Sequence, residues 1–132
     1  MKTVLITGAN RGLGLEFARQ YKAENWKVIA CCRNPETATE LAKADVSIRK
    51  LDLLDFDEIN NFAESLDGVP IDLLINNAAI IDRSKVEGIL EIETDRWVEG
   101  FKVNSIAPVL LTKALLGNLS CADNPVAATI GS

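Results

Sequence analysis

Three glycines near the start of the chain constrain its fold more than any other feature. Gly8, Gly12 and Gly14 have the spacing G-x-x-x-G-x-G and lie between the apolar run Val4–Ile6 and a helical pattern that extends to about Glu24. A strand, a tight turn and a helix N-terminus in this order bring free backbone N–H groups close to a phosphate, and glycine has no Cβ to block it. A tight turn without a ligand is the alternative. The flanking strand and helix favour a turn that binds the pyrophosphate of a dinucleotide.

The remainder of the chain alternates short apolar runs with helical patterns. Such runs are typical of strands that are buried on both faces of a parallel sheet. Right-handed crossovers then predict an α/β fold, a doubly wound, Rossmann-type sheet of about five strands in the order 3-2-1-4-5. The four strands predicted after the first are Lys27–Cys32, Val46–Leu51, Ile71–Ile75 and Val126–Ile130.

Two helix starts can be placed from capping signals. The Asn34-Pro35 pair predicts an N-cap followed by proline at the first helical position, for a helix that ends near Lys43. Asp55 and Glu58 have the spacing of a capping box, which predicts a second helix after the third strand.

The composition restricts the possible partners and the compartment. Lys and Arg number 14 against 19 Asp and Glu, a net charge of −5 that argues against nucleic acid and against an anionic membrane surface. The chain has no histidine, and its cysteines, Cys31, Cys32 and Cys121, lack metal-ligand spacing, so no metal site is expected. No apolar run reaches the roughly 20 residues that span a bilayer. We therefore expect one cytoplasmic domain over residues 1–132.

Four segments together resemble the compact form of the short-chain dehydrogenase/reductase family, with a likeness to carbonyl reductases. The T-G-x-x-x-G-x-G arrangement begins at Thr7, and residues 76–79 (N-N-A-A) are similar to the family's N-N-A-G. Residues 103–105 are similar to its helix-borne asparagine, and residues 127–132 to the strand before its catalytic serine. The resemblance covers the whole chain. It implies hydride transfer between a nicotinamide dinucleotide and a small carbonyl or alcohol substrate.

The resemblance also implies roles for individual residues. Asn104 would stabilise a helix kink near Pro108 and hold a water of the proton relay, and Ser132 would bind the substrate carbonyl. Asn104 could instead be an exposed helix residue, and Ser132 a coincidence. The cofactor-binding residues implied by the turn, the strand ends and the family pattern are Gly8, Asn10, Arg11, Gly12, Leu13, Gly14, Arg33, Asp52, Leu53, Asn76 and Ala78.

Some of these assignments have alternatives. Asp52 would lie near the adenine ring or would help to cap the following helix. Asn76 would stabilise the sheet beside the cofactor or would belong to an ordinary turn. Ala79 stands where the family usually has glycine, which tightens the space beside the cofactor.

The end of the second strand favours NADP(H) over NAD(H). An NAD enzyme of this fold usually has an acidic residue there for the ribose 2′-hydroxyl, but no Asp or Glu lies between Trp26 and Pro35. Arg33 follows the strand, and Arg11 lies in the glycine turn. Two guanidinium groups suit a 2′-phosphate. The alternative is that Arg33 is a solvated charge at a strand end.

The 132 residues do not contain the Tyr-x-x-x-Lys pair that the family uses for proton transfer. Tyr21 is the only tyrosine, and Asn25 stands four residues after it. We therefore expect a truncated chain that does not reduce carbonyls by itself. An uncovered fifth strand and uncovered late helices would promote self-association into a homo-oligomer. A non-enzymatic dinucleotide sensor or interaction protein, and a domain for another nucleotide such as S-adenosylmethionine, are the alternative functions.

Overall fold

The structure, a computed structural model, describes residues 1–80 and 89–131 and has the predicted α/β architecture. Five parallel strands form one sheet in the order β3-β2-β1-β4-β5. The strands are β1 (Thr3–Ile6), β2 (Lys27–Cys32), β3 (Ser47–Lys50), β4 (Leu73–Asn76) and β5 (Val126–Thr129). The helices are α1 (Gly12–Ala23), α2 (Thr39–Ala42), α3 (Phe56–Glu64), α4 (Thr94–Phe101), α5 (Ala107–Ala114) and α6 (Leu116–Ser120). The predicted strand order is confirmed.

The alternation of side chains along the central strands divides the apolar residues between two cores. Leu5 of β1 and Leu74 of β4 face the core that is covered by α3 and α5. Val4 and Ile6 of β1 face the core that is covered by α1 and α2. Because both faces of β1 are fully buried, its sequence is a continuous apolar run rather than an alternating one.

The helix predicted from Asn34 to about Lys43 is confirmed in its limits but not as one continuous helix. A 3₁₀ turn, Pro35–Thr37, comes first, and the four-residue α2 follows it. The side chain of Asn34 caps neither, and Ala38 lies between them with φ −82° and ψ 61°. The Thr37 hydroxyl donates to the Asn34 carbonyl oxygen at 3.1 Å. The backbone N–H of Thr37 donates to the same oxygen at 3.1 Å, which is the i→i+3 bond of a 3₁₀ turn.

The Asp55 cap is confirmed in part. Its carboxylate accepts the backbone N–H of Glu58 at 3.1 Å, as an N-cap should. The Glu58 carboxylate does not return to Asp55 and instead accepts the backbone N–H of Asp52 at 3.4 Å.

The late helical segment is irregular where a break or kink was predicted, near residues 104–108. A π-helical turn, Lys102–Ile106, joins α4 to α5. Pro108 lies in the first turn of α5 and has no N–H to donate to the Asn104 carbonyl, so it interrupts the α-helical bonding of the turn before it. The break is therefore the wide π turn, and the proline follows it.

One edge of the sheet is apolar and exposed. The side chains of β5 are largely accessible, and Val126 is 54% exposed. The opposite edge, β3, carries Arg49 and Lys50, charges that discourage pairing with another strand.

Candidate dinucleotide site

The glycine turn is fixed to the end of β4 by a compact hydrogen-bond network. The Thr7 hydroxyl accepts the backbone N–H groups of Asn77 and Ala78, each at 3.0 Å. In the opposite direction, the Asn77 amide donates to the carbonyl oxygens of Thr7 and Gly8, each at 3.2 Å. The N–H of Ala9 binds β2 through the Cys31 carbonyl at 3.0 Å. The turn is therefore held from both neighbouring strands.

Glycine is required at the three motif positions for different physical reasons. Gly8 and Gly12 have φ of 62° and 56°, in a backbone region where a residue with a Cβ is strained. Gly14 has an ordinary helical conformation, but a Cβ there would collide with the Gly8 carbonyl oxygen and the Asn77 amide. A Cβ on Gly12 would meet nothing within 4 Å. Gly14 thus permits the close packing of helix on turn, whereas Gly12 keeps open the space in front of the helix.

The N-terminus of α1 has the electrostatic character of an anion site. No side chain caps it, and its first turn contains no acidic residue. The first N–H groups of a helix lack intrahelical acceptors and carry the positive end of the helix dipole. In Gly12, Leu13 and Gly14 these groups are available to an anion.

A cavity of about 800 Å³ opens at the carboxyl ends of β1, β2, β3 and β4, in front of this helix end. Open α/β sheets bind ligands at this edge, and the volume is within the range of small-molecule sites. The residues that line it are Thr7, Gly8, Asn10, Arg11, Gly12, Leu13, Cys31, Cys32, Arg33, Asn34, Thr37, Leu51, Asp52, Leu53, Leu54, Asn77, Ala78, Ala79, Ile80 and Val103.

Two arginines supply the positive charge of the cavity. Arg11 and Arg33 are exposed and line it. In residues 1–80 and 89–131, no carboxylate forms an ion pair with either guanidinium. Both groups can therefore turn toward an anionic ligand without breaking an existing pair.

Asp52 is held in place at the end of β3. Its carboxylate accepts the N–H of Leu54 at 3.0 Å, which forms a local turn rather than the helix cap itself. The helix cap is Asp55. Since Asp52 is half-buried and also lines the cavity, the turn leaves its carboxylate edge beside the ligand space.

The two adjacent cysteines at the end of β2 pack into opposite cores. Burial raises the pKa of the Cys31 thiol strongly, and the nearby Arg49 offsets only part of this effect. Burial also raises the pKa of Cys32. Thiols whose pKa is raised stay protonated and react slowly at neutral pH. As predicted, both fill the core, although both also reach the cavity wall.

Asn104 connects the π turn to the chain that follows β4. Its side-chain oxygen accepts the N–H of Ile80 at 2.7 Å, and its amide donates to the Ile80 carbonyl at 2.9 Å. Because Ile80 and Val103 both line the cavity, Asn104 holds two parts of its wall together. Its side chain is exposed, but these two hydrogen bonds distinguish it from an exposed helix asparagine without a structural role.

The structure brings nine of the eleven predicted cofactor-binding residues to the cavity. Gly14 and Asn76 do not line it. Gly14 lies behind the turn, and the buried Asn76 amide donates to the Thr112 hydroxyl at 3.2 Å, which joins β4 to α5. Of the two predicted catalytic residues, Asn104 lies behind Ile80, and Ser132 lies outside the described residues.

Sequence reasoning missed several residues of the cavity. Thr7 and Asn77 were quoted in the motifs but were not predicted as site residues, because their pairing crosses 70 positions. Cys32 and Thr37 also line the cavity. The sequence offered one signal for these two residues, which is that they lie close to Arg33 in the chain.

Comparison with known proteins identifies the family. The sequence profile of the short chain dehydrogenase family matches residues 2–132. The chain belongs to this family. Its glycine turn and strand order are therefore features that short-chain dehydrogenases share.

Several relatives illustrate the range of the family. Galactitol 2-dehydrogenase of Agrobacterium fabrum is 37% identical over 120 residues, which cover 86% of this chain and 45% of that protein. Bovine retinol dehydrogenase 12 is 36% identical, with coverage of 89% and 39%. The NADPH-bound carbonyl reductase from chicken fatty liver has a TM-score of 0.79 and 35% identity, with coverage of 92% and 53%. The chain thus spans about half the length of the relatives it matches.

No helix in the described residues is long and apolar enough to cross a membrane. Within the same residues, no cluster of three or more Cys, Asp or Glu side chains is placed to hold a metal ion.

Proposed function

We propose that this chain is the NADP(H)-binding portion of an oxidoreductase that interconverts a carbonyl and an alcohol. The observation that carries the proposal is the convergence, on one cavity at the carboxyl edge of the sheet, of an uncapped helix N-terminus and two guanidinium groups that form no ion pair within residues 1–80 and 89–131. This arrangement matches a ligand with a central pyrophosphate and a further phosphate. The NADPH bound to the chicken carbonyl reductase is such a ligand.

The glycine turn fits the pyrophosphate. The space in front of Gly12 is free of side chains and backbone, so phosphate oxygens can approach the N–H groups of Gly12 and Leu13 closely. The Thr7–Asn77 network fixes the Gly8 carbonyl and prevents the turn from closing over this space. The donor set is neutral backbone at a positive helix end, as dinucleotide phosphates require.

Arg33 and Arg11 would bind the 2′-phosphate of the adenosine ribose. Arg33 follows β2 at the position where NAD-dependent proteins of this fold usually place a carboxylate. A guanidinium offers paired N–H donors to a phosphate, and a charged hydrogen bond contributes about 1.5–3 kcal/mol. Asp52, at the neighbouring strand end, would face the adenine side of the site.

The bound cofactor would supply or accept hydride, and the protein would supply position and a proton donor. Asn104 would position Ile80 against the cofactor, and Ser132 would donate to the substrate carbonyl. The proton donor is not provided by Tyr21, which packs edge-on against Trp26 with ring centroids 4.9 Å apart and does not line the cavity. We therefore propose that residues 1–132 bind NADPH without reducing a carbonyl.

Cofactor titration tests this proposal. NADPH should bind more tightly than NADH, and Arg33→Asp should weaken NADPH by about a hundredfold because a guanidinium is replaced by a repelling carboxylate. Lys50→Asp is the matched control, since it reverses a charge at the end of β3 that does not line the cavity. Equal dissociation constants for the two cofactors, or equal losses in the two variants, would contradict the assignment.

A dinucleotide sensor on the same fold is the second candidate. It is favoured by the absence of a Tyr-x-x-x-Lys pair in these 132 residues. Both candidates predict NADPH binding. They differ in catalysis. The oxidoreductase requires a chain that carries the tyrosine and the lysine and turns over a carbonyl or alcohol substrate, whereas the sensor requires neither.

A further inference from the structure

Two hydrogen-bonded links attach the end of β4 and the chain after it to the helical segment that contains the π turn. Asn104, in the π turn, binds the backbone of Ile80 through both its side-chain oxygen and its amide. Further along the same helical segment, the hydroxyl of Thr112 accepts the amide of Asn76 at 3.2 Å. Residues 76–80 are therefore tied to one helical segment at both of their ends.

The hydroxyl of Thr112 has a fixed direction. It donates to the carbonyl oxygen of Pro108 at 2.7 Å, so its proton is engaged and a lone pair faces the amide of Asn76. A hydroxyl that donates and accepts at once polarises both bonds and strengthens them. Because Asn76 is buried, loss of this acceptor would leave its amide without that partner away from water.

The π turn brings the two links toward a common line. In a regular α-helix the eight residues from Asn104 to Thr112 turn through about 800°, which is about 80° beyond two full turns. The two side chains would then point in clearly different directions. The i→i+5 bonds of a π turn place more residues in each turn and so rotate each residue less. The difference in direction is thereby reduced, and both side chains reach the same part of the chain.

The segment between the two links forms part of the cavity wall. Asn77, Ala78, Ala79 and Ile80 all line the cavity. On the side of the glycine turn, the backbone N–H groups of Asn77 and Ala78 donate to the hydroxyl of Thr7. The position of this wall therefore depends on the glycine turn on one side and on the helical segment on the other.

We propose that Thr112 is a positioning residue of the dinucleotide site, an inference that rests on the proposed function. Thr112 is half-buried and does not line the cavity, so it acts through Asn76 rather than on the ligand. Its hydroxyl fixes the distance between the end of β4 and α5. At that distance Asn104 makes both of its bonds to Ile80, and the wall stays in place for the cofactor.

Removal of the hydroxyl tests the proposal in two measurements on the full chain. Thr112→Val has nearly the same shape but cannot accept the Asn76 amide. Amide hydrogen exchange at Ile80, measured without cofactor, should accelerate by about fivefold, and the dissociation constant of NADPH should rise by about fivefold, the effect of one hydrogen bond. Thr112→Ser keeps the hydroxyl and should restore most of both losses.

Ile71→Val separates positioning from general stability. Ile71 is fully buried in the core that α3 and α5 cover, and it precedes β4 at the opposite edge of the sheet. The loss of one methylene group there should lower stability about as much as the loss of one hydrogen bond. Because neither link is touched, exchange at Ile80 and the affinity for NADPH should stay at the parent values.

The outcomes are distinct. Unchanged exchange at Ile80 in Thr112→Val, or equal changes in Ile71→Val, overturns the proposal. Faster exchange with an unchanged dissociation constant for NADPH overturns the effect on the site. If the parent chain does not bind NADPH, the proposed function fails, and the exchange measurement alone decides whether Thr112 positions the wall.

Discussion

The same substitution, glycine to alanine, should have three different effects at three positions of this chain. At Gly14 the new methyl group would collide with the Gly8 carbonyl oxygen. A backbone atom has no alternative rotamer, so the cost should be near the upper end of overpacking, about 3 kcal/mol. Alanine returns about 1 kcal/mol in helix propensity. The expected net loss in the free energy of unfolding is about 2 kcal/mol.

At Gly100 and Gly12 the structure predicts other outcomes. Gly100 is helical with open space around it, so alanine should stabilise the monomer by about 0.5–1 kcal/mol. Gly12 also has open space, but its φ is 56°. Alanine there should cost about 1–2 kcal/mol through backbone strain alone.

The two motif positions should differ again in cofactor affinity. The methyl group of Gly12→Ala enters the cavity where the pyrophosphate is proposed to lie, so NADPH binding should weaken more than stability does. The Gly14 methyl group lies behind the turn and acts mainly on folding.

Urea denaturation at concentrations at which the chain is monomeric gives the stability changes, and fluorescence titration with NADPH gives the affinities. The reasoning is refuted if Gly14→Ala is as stable as the parent chain. It is also refuted if Gly100→Ala loses as much stability as Gly14→Ala.

Three further predictions concern the network, the thiols and the wall of the cavity. Thr7→Val leaves two backbone N–H groups without an acceptor and should cost about 2–4 kcal/mol in urea denaturation, whereas Thr7→Ser should cost about 1 kcal/mol. Because the pKa of Cys31 is raised in the folded chain, the contribution of this thiol to stability does not depend on pH below its ordinary pKa of 9.0. Above it the unfolded chain loses the proton first, so the unfolding free energy should fall by about 1.4 kcal/mol per pH unit for this thiol. Asn104→Ala should accelerate amide hydrogen exchange at Ile80, since the acceptor of that N–H is removed.

Each of these predictions has a matched control. Cys31→Ala should make the fall in stability above pH 9 less steep, whatever its effect on stability at neutral pH, while the raised pKa of Cys32 leaves a residual slope. An unchanged slope contradicts the assignment to Cys31. Ser105→Ala, one residue from Asn104, should leave Ile80 exchange unchanged. Equal stabilities of Thr7→Val and Thr7→Ser would show that the hydroxyl is not the acceptor.

The strands could be predicted because burial on both faces leaves a signal in the sequence. Val4–Ile6 and residues 28–32 are apolar without alternation, and together with the crossover rule such strands predict the order of the sheet. The residues at which each strand begins and ends were harder to predict. Ile71 was placed in β4 but precedes it, and its N–H donates to the Asn118 carbonyl at 3.1 Å. A pattern of apolarity cannot distinguish a strand residue from a buried one beside a strand.

The errors in the helices arise from interactions that compete with local propensity. Asn34 and Pro35 have the identities of a helix start, but the Thr37 hydroxyl turns back to the Asn34 carbonyl and a 3₁₀ turn forms. Pro108 predicted a break, and the break takes the form of a wide π turn directly before it. The sequence shows where a helix is interrupted more readily than it shows the form that the interruption takes.

The cavity could be predicted where its residues belong to the chain segments that define the motif. The motif between a strand and a helix predicted the turn residues, and the lack of an acidic residue at the end of β2 predicted Arg33. Asn77 was not, because its amide acts on Gly8, 69 positions earlier in the chain. Asn76 is equally polar and adjacent, yet its amide points to Thr112. Side chains of neighbouring residues in a strand point to opposite faces of the sheet, and only the structure shows which face lies beside the cavity.

The most direct test of the dinucleotide site is a titration of the isotopically labelled chain with NADPH, followed through its backbone amide resonances. The largest shifts should occur at Gly12, Leu13 and Gly14, at the end of α1, with further shifts at Arg33 and Ala78. Shifts confined to other surfaces, or none at saturating NADPH, would contradict the assignment of this cavity to a dinucleotide.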